Sequence, residues 1–121
     1  MKAILKKPGE TAQNITLEGE TLAALQGLVE GYITTVYHES LDAAGITAWA
    51  NDEGLLIGQA PNLLVYGQPI VGPVVFTGHD DMGETVGLTD AQAEDVGRFL
   101  EAVTLNALQA YRLAQQLAEM F

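Results

Sequence analysis

No cysteine occurs among the 121 residues, which excludes disulfides, thiolate metal ligands and a cysteine nucleophile. Basic side chains are almost as scarce. Five Lys and Arg stand against sixteen Asp and Glu, for a net charge of -11. Lys2, Lys6 and Lys7 fall at the start, and beyond them only Arg98 and Arg112 answer the sixteen acids. Nucleic-acid binding draws its affinity from cations set against phosphates, so no direct nucleic-acid binding is expected. No apolar run approaches the roughly 18 residues that span a bilayer. The apolar stretch Ala3-Ile4-Leu5 is too short for the core of a signal peptide. A cytoplasmic protein without membrane attachment is the expectation.

The residues of familiar active sites are equally sparse. Ser40 is the single serine and lacks the glycines of a nucleophile elbow. His38 and His79 are the two histidines, and no His-Glu-x-x-His spacing joins them for zinc. Neither of the glycine-rich phosphate cradles, Gly-x-x-x-x-Gly-Lys or Gly-x-Gly-x-x-Gly, is present. Paired acids such as Glu18 with Glu20, or Asp80 with Asp81, read as solvated loop residues. We therefore expect no enzyme, no catalytic residue, no metal and no cofactor.

What is present describes a folded domain. Apolar residues make up 48% of the chain, and a charged fraction of 17% is too low for a disordered acidic tail. Residues Lys2 to Lys6 and Gln13 to Leu17, joined across Pro8-Gly9-Glu10-Thr11, predict a hairpin. Leu22, Leu25, Leu28 and Val29 form a helical stripe that Gly31 is placed to end. The β-branched and aromatic run Tyr32 to Tyr37 predicts a strand. Ile46 to Ala50 and Leu55 to Ile57 predict a second hairpin around Asn51-Asp52-Glu53-Gly54. Residues 58–73, rich in Gly and Pro, read as irregular, and Val74 to Thr77 as a short strand. The expected architecture is α+β: a mostly antiparallel sheet of four to five strands, one helix packed across it, and a long C-terminal helix.

That last helix starts well, with Thr89 as N-cap and Gln92 three residues on. No proline follows before Phe121. Unbroken, its ~32 residues would run about 48 Å, longer than the roughly 35 Å diameter of a domain this size. A break at Gly97 or at Val103-Thr104 would remove the overhang. The helix is apolar on more than one side, so it needs more than one partner. The reading is an α+β domain over 1–88 and a helical element over 89–121 that joins copies of the chain. Val103, Leu105, Leu108, Leu113, Leu117 and Phe121 are its candidate contacts in a homo-oligomer.

One ordered set of motifs is more specific. Leu22-Ala23-Ala24-Leu25-Gln26-Gly27-Leu28-Val29-Glu30-Gly31-Tyr32-Ile33 is followed by Asn51-Asp52-Glu53-Gly54-Leu55-Leu56, by Pro61-Asn62, by Ile70-Val71-Gly72-Pro73-Val74-Val75-Phe76-Thr77-Gly78, and by Leu88-Thr89-Asp90-Ala91-Gln92. Over about residues 1 to 95 this order resembles a family of small proteins from bacteriophages, plasmids and their bacterial hosts, itself a domain of unknown function. The resemblance implies an accessory gene of a mobile element. Many relatives carry arginine after the asparagine matching Asn62, where this chain has Leu63.

Gln26, a polar residue amid Leu25 and Val29, must reach solvent or satisfy buried backbone. With Asn51, Asn62 and Trp49 it forms the candidate ligand-binding set. The leading functional expectation is a small non-catalytic binding or inhibitory protein of a phage or mobile element that interferes with a host system, by blocking a host protein or sequestering a small ligand. The alternative is a binder of a small, nucleotide-like ligand near Gln26, Trp49 and Asn62. A third reading is an acidic decoy for a DNA-binding protein.

Overall fold

A computed structural model describes residues 1–120 of the chain. In chain order it contains β1 (Lys2–Lys6), β2 (Gln13–Thr16), α1 (Thr21–Val29), β3 (Ile33–Val36), α2 (Glu39–Ala43), β4 (Ile46–Asn51), β5 (Pro61–Val65), β6 (Gln68–Val71), β7 (Val74–His79), β8 (Thr85–Val86), α3 (Asp90–Val103) and α4 (Ala107–Met120). Five strands form the main antiparallel sheet in the order β2-β1-β7-β4-β3, and β8 pairs with the end of β7. The fold is α+β, as expected. No helix among the described residues is long and apolar enough to cross a membrane.

The central strand β7 explains the layering. Val74, Val75, Phe76 and Thr77 are all wholly buried, because elements cover both faces of the sheet. Such a strand must be apolar at odd and even positions alike. Its alternation splits the core in two. Val75 joins Ala3, Leu5, Leu17, Leu25 and Val29 beneath α1. Val74 and Phe76 join Ile4, Ile46, Ala48 and Ala50 on the opposite face, where Val96, Phe99 and Leu100 of α3 close over them. The capping box of α3 forms as read: Thr89 Oγ1 accepts from Gln92 N and Gln92 Oε1 accepts from Thr89 N. The Gln92 amide then donates to the carbonyls of Ala44 and Gly45, fixing the helix start to the link before β4.

Three local expectations need correction. Leu55 to Ile57 forms no strand, and β4 pairs with β3 and β7 instead. Residues 58–73 are more regular than their composition indicates, since β5 and β6 form a separate two-stranded sheet. Gly31 is not the left-handed residue that ends α1: Glu30 takes that conformation, at φ 66 and ψ 38. For a residue with a Cβ this costs about 1 kcal/mol. Glycine is needed at 31 for space, because a Cβ there would lie 2.7 Å from Asn51 Nδ2.

The C-terminal helix is two helices of 14 residues each. Gly97 stays within α3, and the break falls at Thr104, which turns extended and bridges to Leu63. Asn106 restarts the helix: its Oδ1 accepts from Gln109 N at 2.8 Å while Gln109 Oε1 accepts from Asn106 N at 3.0 Å. This reciprocal pair caps the new N-terminus.

Candidate binding cleft

The β5–β6 hairpin turns through Tyr66 and Gly67, both at positive φ (51 and 74). Two such residues make a type I′ turn, whose twist matches that of paired strands. Tyrosine is an unusual occupant of the first position, and its contacts show what holds it there. The Tyr66 ring stacks on His38 with centroids 4.7 Å apart, and its hydroxyl accepts from Glu39 N at 3.2 Å. The tip of the hairpin is thereby clamped to the start of α2.

The other end of the hairpin hangs on Asn62, which is 2% exposed. Its Nδ2 donates to the carbonyls of Lys6 (2.8 Å) and Gly72 (2.9 Å), and its Oδ1 accepts from Lys6 Nζ at 3.1 Å. Its own carbonyl accepts from Leu105 N at 3.1 Å. The side-chain amide thus joins β1 to the end of the hairpin, and the main-chain carbonyl of the same residue joins the link between α3 and α4.

Held at both ends, the hairpin stands away from β3 and leaves a cleft of about 500 Å³ between them. Thr34 and Val36 form one wall, for they are in register with Ala50 and Ala48 and share their face of the sheet. Ile70 and Val71 form the other, and the turn after β4 brings Leu55 and Leu56 to the mouth. Tyr37, Leu55, Leu56 and Tyr66 all line the cleft and are all exposed, Leu56 at 72%. The charged residues lining it are Asp52 and Glu53, both acidic. Such a recess suits an apolar or cationic group and offers no imidazole, hydroxyl nucleophile of serine or ammonium for proton transfer.

The structure does not gather the four candidate ligand residues around one pocket. Asn51 alone lines the cleft, and its amide is occupied: Nδ2 donates to Val29 O at 2.9 Å and Oδ1 accepts from Glu53 N at 2.7 Å. With Gln59, whose Nε2 also reaches Val29 O, it satisfies the carbonyl end of α1. Trp49 packs on the α1 side of the sheet and donates to Thr77 Oγ1 at 2.9 Å. Gln26 is half-buried on α1, on that same side. Asn62 lies across the sheet from them, in the tether just described. Leu63, where relatives were expected to carry arginine, is a core residue.

The histidines also serve the fold. His38 Nδ1 accepts from Ser40 N and caps α2, and His79 Nδ1 meets Thr47 Oγ1 at 2.9 Å. Among the described residues no three His, Asp or Glu side chains converge to hold a metal ion. Of the candidate self-association residues, Val103, Leu105, Leu113 and Leu117 are half-buried and Leu108 is exposed. Phe121 lies outside the described residues. Sequence reasoning missed the cleft because it missed the hairpin. The signal was available: the apolar pairs Leu63/Val65 and Ile70/Val71 flank a two-residue turn ending in Gly67.

Among the described residues Lys6 is the one buried ammonium, at 4% exposure, held by Asn62 Oδ1 and by Lys7 O at 2.9 Å. No carboxylate among the described residues pairs with it within 4 Å. Burial lowers its pKa below the usual lysine value, opposed in part by the negative potential of Glu10. The sign for stability follows. Between the lowered folded value and the unfolded value of 10.5 the unfolded chain binds more protons, so Lys6 favours folding more as pH rises. Urea unfolding of the wild type and Lys6→Met from pH 7 to 10.5 is expected to show the difference moving toward the wild type as pH increases. A difference independent of pH would mean that burial does not strain the ammonium.

Residues 1–103 match the family described as a domain of unknown function, DUF3846. The match runs past residue 95, where the motif resemblance stops, and takes in every strand together with α1, α2 and α3. Helix α4 lies beyond it. No curated protein and no solved structure matches the chain. The hairpin, the side-chain hydrogen bonds of Asn62 and the cleft therefore all lie within the matched region, and the chain belongs to the DUF3846 family.

Proposed function

We propose that this chain is a small, non-catalytic binding protein whose partner site is the cleft between β3 and the β5–β6 hairpin. One observation carries the reading: Tyr37, Leu55, Leu56 and Tyr66, all exposed, converge on a single recess that the hairpin's two anchors hold open. Exposed apolar surface gathered in one place marks an interaction site, and about 500 Å³ falls within the range of ligand pockets. The acidic rim argues against a phosphate-bearing, nucleotide-like ligand and favours a protein segment. In the mobile-element setting that the motif resemblance implies, the partner is a host protein in the cytoplasm, and occupying it would inhibit it.

Small aryl and cyclohexyl amide fragments, mapped by two-dimensional NMR, test the site. Shifts are expected at Val36, Ala50, Leu56 and Ile70. Leu56→Glu should abolish them while changing stability by no more than about 0.5 kcal/mol, because the side chain is exposed. Shifts centred elsewhere, or unaffected by Leu56→Glu, would overturn the reading.

A second proposal concerns α4, which has no buried residue. Ala110, Leu113 and Leu117 are only half covered where the helix packs near β5, and Leu108 and Tyr111 are exposed. A helix held by so little apolar burial is marginal alone, so a second copy of the chain across Leu108 and Tyr111 would complete it. Light scattering should then give a dimer or larger species, reduced to a monomer by Leu108→Glu with Tyr111→Glu. A monomeric wild type at high concentration would remove this reading and leave the cleft untouched.

A further inference from the structure

The outer edge of β3 bears directly on the cleft. β4 pairs with one edge of this strand, and no strand among the described residues pairs with the other. Unpaired edges invite further strands, and proteins commonly blunt them with charge, proline or a bulge. Ile33-Thr34-Thr35-Val36 has none of these. The opposite edge, β2, is equally uncharged, but the exposed aromatic and aliphatic side chains gather at β3, with Tyr32 and Tyr37 bracketing it. The cleft is lined by consecutive residues Thr34, Thr35, Val36 and Tyr37. Successive side chains of a strand point to opposite faces, so a recess touching all four opens at the strand's edge as well as on one face.

Building on the binding reading above, we infer that β3 receives an extended segment of a partner protein as an added strand. Its alternate apolar side chains enter the cleft and its lysines or arginines meet the acidic rim. Main-chain hydrogen bonds to the edge supply affinity in this mode, and pockets for alternate side chains supply specificity. The chemistry of the occupant follows from charge. Asp52 and Glu53 stand beside the Ile33 end of the strand, Glu39 follows its Val36 end, and no lysine or arginine lines the cleft. A second copy is a poor occupant for the same reason. Antiparallel pairing of two β3 strands sets the Val36 end of one, with Glu39, against the Ile33 end of the other, with Asp52 and Glu53. In a chain of net charge -11 these acids have little to neutralise them.

A short capped peptide of alternating valine and lysine is the probe, with two controls: glutamate in place of lysine, and N-methylation of alternate backbone amides. The lysine peptide is expected to bind the full-length chain, more weakly as salt rises, and to slow amide exchange within residues 33–36. The N-methylated peptide should bind about tenfold more weakly or worse, since it forfeits edge hydrogen bonds, and the glutamate peptide should not bind. Equal binding of the N-methylated peptide would overturn strand addition. So would slowed exchange at 33–36 in the peptide-free protein that deepens with concentration, which would make a second copy the occupant. Failure of every peptide while the amide fragments still occupy the cleft would sink this inference alone; failure of both would sink the binding reading beneath it.

Discussion

The β5–β6 hairpin shares no backbone ladder with the main sheet, so its position rests on side chains, and above all on Asn62. A buried amide left without partners costs about 1–3 kcal/mol for each polar group stranded. The Asn62 amide avoids that cost by joining Lys6 and Gly72, and in doing so ties the hairpin to β1. The main chain of β5 also meets the C-terminal region: Leu105 N donates to the Asn62 carbonyl and Thr104 bridges to Leu63, at the place where α3 ends. The cleft exists because the hairpin is pinned at Asn62 and at Tyr66 while the stretch between them stands clear of β3.

How much of this the sequence shows depends on whether the cause is local. The fully apolar run Val74 to Phe76 announces a strand buried on both faces, and Thr89 with Gln92 announces a helix start, because each signal lies within a few residues. Leu55 to Ile57 misleads for an instructive reason. It is as apolar as a strand, but these side chains stand exposed at the surface, in the turn after β4 rather than in a ladder. Tyr66-Gly67 escapes notice because tyrosine seldom takes positive φ. It does so here through its stacking on His38, a contact between residues far apart in the chain. Asn106 with Gln109 is a cap as legible as Thr89 with Gln92, hidden by the continuous apolar periodicity around it. Asn62 resembles a ligand residue in the sequence, a lone amide in an apolar setting, and only tertiary structure shows that its hydrogen bonds are already used.

The same division applies to function. The features that local chemistry exposes, few cations and few nucleophiles, narrow the classes without naming a partner. The positive indication comes from an assembly of residues from β3, the turn after β4, and the hairpin, which no single stretch of sequence contains. All of that assembly lies inside residues 1–103. Helix α4 lies outside them, so the proposed self-association and the proposed binding at the cleft call on different parts of the chain.

The most direct measurement is native-state hydrogen exchange on Asn62→Leu, which keeps the branched shape and the number of heavy atoms and removes every side-chain hydrogen bond. The account predicts that amides of residues 61–71 lose protection while those of β1, β7 and β4 keep most of theirs, and that the cleft no longer binds. Uniform loss across the sheet, or a hairpin as protected as before, would contradict it.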